Sequence, residues 1–220
     1  MGGYIKVYGP AVSTAVSRVL ACLLEKELDF KLLPIELSKR QHKTQDFLKL
    51  QPFGQVPAFQ DDATAIFESR AISRYICDMY PDSGNTTLFS GNPAEKASID
   101  QWVEAEAQSF NPPSSSLVFQ LVFAPRMKLK QDTSAIKESE GKLKKVLDVY
   151  ERRLGESRFL AGDEFSLADL CHLPNAGYIV EESDRAQLFT SRKNVGRWWE
   201  EISSRPSWKK VLEMRKSPTA

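Results

Sequence analysis

The sequence predicts an α/β domain of order β-α-β then β-β-α, followed by an all-helical domain, and three observations carry that prediction. Near the start, two strand-like runs flank a segment of helical period. Next, the stretch PFGQVPAFQDDATAIFESRAI, Pro52 to Ile72, packs a turn, two short extended runs and a helix start together. Beyond Asp82 to Asn92, which is rich in Ser, Gly, Asn and Thr, every apolar repeat is helical. The expected organisation is a first domain over 1–82, a linker over 83–92 and a helical domain over 93–220.

Taken in order, Tyr4 to Tyr8 alternates Tyr, Ile, Lys, Val, Tyr, a strand that Gly9-Pro10 ends. Ser13-Thr14 precedes Val16, Val19, Leu20 and Leu23, which recur at i, i+3, i+4 and i+7, so a helix starts at or just after Ser13. The first strand thus delivers a hydroxyl to a helix N-terminus. Phe30 to Leu37 reads as a second strand, and Pro34 within it, having no N–H for a ladder, assigns it to an edge. Ser38 to Lys49 carries Lys39, Arg40, His42 and Lys43 and reads either as a solvated polar loop or, coming just before the Pro52 to Ile72 stretch, as a holder for a second carboxylate.

The Pro52 to Ile72 stretch organises the chain around it. Pro52-Phe53-Gly54 is a turn; Pro57 holds Val56 extended, leaving the Val56 N–H and C=O to pair with an extended ligand as a strand would. A cis Val56-Pro57 bond would aim those groups outward, but the residues alone favour trans, since only about 5–6% of such bonds are cis. Asp61-Asp62 makes a hairpin turn and Thr64 to Phe67 the return strand. Ser69 is the expected N-cap of a helix whose face is Ile72, Tyr75, Ile76 and Met79 and which Tyr80-Pro81 stops. Such an N-terminus suits a carboxylate, although most such caps bind nothing.

In the second half Pro93 suits a first helical position, and Asn111-Pro112-Pro113 is expected to kink or interrupt the helix that follows. Leu143, Val146, Leu147, Tyr150 and Leu154 form one helical face, with Gly155 as its expected cap. Val195, Trp198, Trp199 and Ile202 form another. Ser166 and Asp169 stand at capping-box spacing with Phe165 and Leu170 at staple spacing around them, a structural signal. Pro174 should bend or end that helix.

With 41% hydrophobic and 27% charged residues, the 220-residue chain has the composition of a soluble globular protein. A net charge of +1 removes the main electrostatic argument for nucleic acid or an acidic membrane surface. No run approaches 18 apolar residues, so a membrane span is not expected. Cys22, Cys77 and Cys171 are odd in number and far apart, and His42 and His172 are the whole histidine complement, so neither disulfides nor a metal site is expected.

The motifs PFGQVPAF at 52–59, FESRAI at 67–72, FLAGDEFSLADL at 159–170 and RWWEEISSRPSWKKV at 197–211 together resemble the plant phi class of glutathione transferases, over nearly the whole chain. The resemblance implies a thioredoxin-like first domain, an all-helical second domain and a cis Pro57. It implies a detoxification and stress-response enzyme, cytoplasmic and homodimeric, with glutathione as co-substrate and no metal. Ser13 matches the class's catalytic serine, a hydrogen-bond donor to the glutathione sulfur. Gln55, Glu68 and Ser69 would bind the γ-glutamyl end, the Val56 backbone the cysteinyl unit, and His42 and Lys43 the glycyl carboxylate. Arg18 would add positive potential or make a structural ion pair. Hydrophobic electrophiles would lie against the apolar side of Ser13, between the domains, with Phe119, Phe123 and Tyr178 as wall; helical spacing reads those three equally well as core. Reduction of organic hydroperoxides is a second implied activity. The competing reading is a non-catalytic carrier of flavonoids or similar aromatics. The chain departs from the class at Asp62-Ala63, where Asp-Gly is usual, and at Val12-Ser13-Thr14.

Overall fold

The computed structural model describes residues 4–216. These form two compact units: one runs up to Ser90 and includes the stretch from Pro206 onward, the other is Gly91–Arg205.

The first unit is built on a four-stranded sheet of order β2-β1-β3-β4. Strand β1 (Ile5–Tyr8) pairs in parallel with β2 (Phe30–Leu33) and antiparallel with β3 (Ala58–Gln60), which pairs with β4 (Ala65–Phe67). β2 is an edge, as Pro34 requires, but it stops at Leu33 rather than Leu37, because the proline ends the ladder. Helix α1 (Thr14–Glu25) buries Val16, Val19, Leu20 and Leu23, and α3 (Ser69–Met79) buries Ile72 and Ile76. The segment read as a polar loop holds a 3₁₀ turn, Gln41–Lys43, and a short helix α2 (Gln45–Leu50) that buries only Phe47.

The hairpin between β3 and β4 explains one departure from the phi pattern. Asp61 Oδ1 accepts from the N–H groups of Ala63 and Thr64, both at 2.9 Å, and Oδ2 accepts from the Tyr75 hydroxyl at 2.8 Å. Neither Asp62 nor Ala63 takes a positive φ, so this turn has no need of glycine. Burial, then the bond to Asp61, pushes the Tyr75 phenol up to about 12.

Residues 83–92, expected to be a linker, are in part fastened to the end of α1. Asn85 N–H donates to Glu25 O at 2.7 Å, Asn85 Nδ2 donates to Glu25 Oε2 at 2.9 Å, and the buried Lys26 Nζ donates to the carbonyls of Pro81 and Asn85. The other Glu25 oxygen accepts from Ser207 Oγ in the last helix, α12 (Pro206–Lys216), whose Arg215 Nε donates to Ser17 Oγ at 3.0 Å. Trp208 and Val211 of α12 are fully buried. This helix therefore groups with the sheet unit, whereas the sequence suggested that everything from 93 onward belongs to the helical one.

In the second unit, α4 (Pro93–Ala105) starts from an Asn92–Glu95 capping box. It does not break at Pro112-Pro113. A π segment, Glu106–Phe110, leads directly into α5 (Asn111–Val118), and a second, Phe119–Phe123, leads into α6 (Ala124–Arg126), which contains Pro125. Each π turn immediately precedes a proline stretch. Its wider i→i+5 spacing removes the carbonyl clash and the demand for an N–H that make proline break an α-helix. Helix α7 (Thr133–Glu156) runs through Gly155 to a C-cap at Ser157, so that glycine is interior and not a cap. Short helix α8 (Leu167–Leu170) carries the expected capping box, and Pro174 starts α9 (Leu173–Glu182) after a break. The rest is α10 (Gln187–Thr190) and α11 (Lys193–Ser203), with Val195, Trp198, Trp199 and Ile202 buried. Among the described residues no helix is long and apolar enough to cross a membrane.

Candidate functional site

Strand register alone gathers the candidate segments of the first unit. Tyr8 pairs with Leu33 and with Ala58, and Ala58 with Phe67. The end of β1, the end of β2, the start of β3 and the end of β4 therefore lie at one end of the sheet. From that end leave the Gly9–Ser13 loop, the segment bearing His42 and Lys43, Val56-Pro57, and Glu68-Ser69.

Two glycines let these segments close on one another. Gly9, at φ +142°, leaves no room for a side chain: a Cβ there would stand 2.6 Å from Val16 Cγ2 and 3.0 Å from Val56 Cβ. The loop leading to Ser13 thus packs against Val56. Gly54, at φ +58°, sits where a Cβ would meet His42 O at 2.8 Å and Lys43 Cδ at 2.7 Å. Lys43 Nζ donates to Phe53 O at 3.0 Å across the same contact. Gly54→Ala is expected to destabilise by about 1–3 kcal/mol, from a strained φ and a clash with backbone that cannot yield. A melting curve checks this; an unchanged midpoint would mean that the contact of Gly54 with His42 and Lys43 yields without strain.

Ser13 is the N-cap of α1. Its N–H donates to Pro10 O at 3.0 Å, its C=O accepts from Ser17 N–H at 2.8 Å, and among the described residues its half-buried Oγ accepts only a long bond, 3.5 Å, from Val16 N–H. No acidic side chain stands in the first turn of α1, so the positive end of the helix dipole is not offset there. The Val56-Pro57 peptide is cis. Among the described residues, neither the Val56 N–H nor its C=O has a hydrogen-bond partner. Gln55 is exposed and its N–H donates to Gln51 Oε1 at 3.3 Å.

Ser69 is not the cap of α3. Glu68 occupies that position at φ +69°, makes no side-chain cap bond and is exposed, while Ser69 is the first helical residue. Its Oγ instead accepts from Arg18 Nη1 of α1 at 2.7 Å. His42 is half-buried with Nδ1 unpartnered among the described residues, and its pKa is held below the ordinary imidazole value by desolvation, then by Lys43 and Arg40. Among the described residues no cluster of His, Cys, Asp or Glu is placed to hold a metal.

The three aromatic candidates fall in the helical unit. Phe123 packs edge-on against Tyr178, centroids 5.1 Å apart, and Arg126 lies over both rings. Tyr178 is buried at 1% exposure, whereas Phe119, on the second π segment, is 43% exposed and has no ring contact among the described residues. The structure brings together Phe123 and Tyr178, not all three. Arg18 was seen in the sequence only as a nearby charge; its bond to Ser69 joins residues 51 apart and has no local signal.

Residues 4–78 match the glutathione S-transferase N-terminal domain and residues 110–206 the glutathione S-transferase C-terminal domain. A glutathione S-transferase of Hyoscyamus muticus is 46% identical, covering 96% of this chain and 99% of its own. The crystal structure of glutathione transferase F2 from Populus trichocarpa superposes with a TM-score of 0.95 at 65% identity, covering 96% of this chain and 99% of that one. Maize glutathione S-transferase I, solved with an atrazine glutathione conjugate, is 35% identical with a TM-score of 0.89 and covers 99% of this chain and all 100% of its own. The chain belongs to the glutathione S-transferase family, in its plant phi class.

Proposed function

We propose that Ser13 activates the glutathione thiol by hydrogen bonding and that the thiolate then attacks hydrophobic electrophiles. The observation carrying this is the state of Ser13: a half-buried hydroxyl at a helix N-terminus whose oxygen is only weakly engaged, with its hydrogen left for a sulfur. A free thiol has a pKa of about 8.5, so only a few per cent is thiolate at pH 7. A hydrogen bond to a charged group contributes roughly 1.5–3 kcal/mol. That lowers the thiol pKa by about one to two units. Ser13 donates and orients; it is neither base nor nucleophile.

In this reading the unpaired Val56 backbone takes the cysteinyl unit as an added strand. His42 and Lys43 receive the glycyl carboxylate, and Gln55, Glu68 and Ser69 the γ-glutamyl end, where the N-terminus of α3 favours an anion. Pro57 fixes the direction of Val56. Phe119 and Phe123 serve the hydrophobic substrate, with Tyr178 supporting Phe123 from beneath. The maize relative's atrazine glutathione conjugate supports the reading that this site, too, joins glutathione to a second, small organic molecule. Organic hydroperoxides are a second substrate class, and the working form is a cytoplasmic homodimer, the state expected of phi-class enzymes.

Steady-state conjugation of glutathione to 1-chloro-2,4-dinitrobenzene, beside calorimetric glutathione binding, tests the reading. Turnover with saturable glutathione dependence is expected. Tight glutathione binding with no turnover on this compound, on a panel of electrophiles or on hydroperoxides would instead favour the carrier.

A further inference from the structure

Arg18 lies on α1, beyond Ser13, with its guanidinium almost wholly buried at 2% exposure. A guanidinium has donors and no acceptor. In its 2.7 Å bond to Ser69, therefore, the serine oxygen must be the acceptor and the hydroxyl hydrogen must point elsewhere. Ser69 is itself only 4% exposed, and its carbonyl already accepts from Ser73 Oγ at 2.9 Å. Few directions remain for that hydrogen. One is outward past the N-terminus of α3, where Glu68 supplies no side-chain cap.

We infer that Arg18 is a positioning residue for glutathione: by donating to Ser69 Oγ it fixes that hydroxyl as a donor to the γ-glutamyl carboxylate. The charged donor also polarises the hydroxyl, which strengthens the bond it makes onward. The same contact ties α1, which carries Ser13, to α3, which carries the carboxylate site, so the two ends of the tripeptide's reacting half are held in one frame. Arg18 acts through Ser69 and does not touch the sulfur. This inference rests on the glutathione site proposed above.

The test is a double-mutant cycle with Arg18→Met, Ser69→Ala and both together, each measured for KM of glutathione, KM of the electrophile, kcat and the pH dependence of kcat/KM. Arg18→Lys runs in parallel, since it keeps the buried charge if the methionine variant fails to fold. Each Arg18 variant is expected to raise the KM for glutathione, Arg18→Met by about tenfold. The electrophile KM, kcat and the pH midpoint should stay within about twofold, and the double variant should be no worse than Ser69→Ala alone. Additive effects would overturn the inference, as would an Arg18 variant that melts earlier with an unchanged KM. An upward shift of the pH midpoint would overturn it in favour of a direct effect of charge on the sulfur. Should Ser69→Ala itself leave the glutathione KM unchanged, the proposed site fails, which is a separate result.

Discussion

Ser13→Ala is expected to lower kcat/KM at pH 7 by roughly 10- to 10²-fold while the glutathione Kd changes by no more than a few-fold. The size follows from one hydrogen bond to a charged sulfur, about 1.5–3 kcal/mol, converted at about 1.36 kcal/mol per tenfold. The pH profile gives a sharper signature. Without the donor the thiol titrates about one to two units higher, so the variant should regain most of its activity at alkaline pH. Ser13 also caps α1, and loss of a cap costs about 0.5–2 kcal/mol of stability. Since the cap bond is long at 3.5 Å, the low end applies, and a melting curve separates a folding loss from a catalytic one. A profile that drops uniformly at every pH would sink the activation mechanism even if activity fell.

Asp169→Ala is expected to destabilise the helical unit by about 3–5 kcal/mol or to prevent its folding. Asp169 is fully buried and gathers three elements: Oδ1 accepts from Leu160 N–H at 3.0 Å and Trp198 Nε1–H at 2.9 Å, and Oδ2 accepts from the N–H and hydroxyl of Ser166 at 3.1 and 3.3 Å. Alanine would leave these donors buried and unsatisfied together. Burial outweighs these bonds and pushes the carboxyl up from 3.8 to about 6. The folded state therefore holds a proton that the unfolded chain releases near pH 4. Stability from this group is fully present below that pH and is lost as pH rises through about 6, by up to about 3 kcal/mol. Urea denaturation of the wild type and Asp169→Asn across pH 4 to 7 isolates the effect, because the amide cannot titrate. The difference between the two should shift over that window; a constant difference would mean that Asp169 does not change protonation.

The place of Ser13 at the start of α1 was legible because everything needed is local, a hydroxyl and then apolar residues at i+3, i+6, i+7 and i+10 from it; a role in catalysis is not in that pattern and came only from the resemblance. The sequence misplaced Ser69 by one residue because the partner that claims its hydroxyl, Arg18, lies on another helix. With the oxygen occupied, the chain turns at Glu68 instead, at φ +69°. Helix α2 was invisible, since it buries a single apolar side chain, Phe47, and so has no period to read. The fastening of residues 83–92 was hidden for the same reason as Arg18: Glu25 and Lys26 lie far away in sequence, and composition reports only that the segment is polar. At Pro112-Pro113 the local rule was sound for an α-helix; what it lacked was the π turn that changes the hydrogen-bond spacing first. Strand identities were readable, but the register that assembles the site depends on which strands choose one another, and no single segment encodes that.

The return of α12 to the sheet unit has a consequence for synthesis. The chain emerges from the ribosome with the four strands first and the helix that seals α1 last, after the whole of Gly91–Arg205. Until Trp208 and Val211 are released, the outer surface of α1 is bare and Glu25 lacks its Ser207 partner. The helix carrying Ser13 therefore acquires its full support only after the whole of Gly91–Arg205 has been made, while the helical segment has its entire sequence available earlier. A nascent chain stalled before Pro206 would leave the apolar residues of α1 that α12 covers without their cover, a natural target for chaperones.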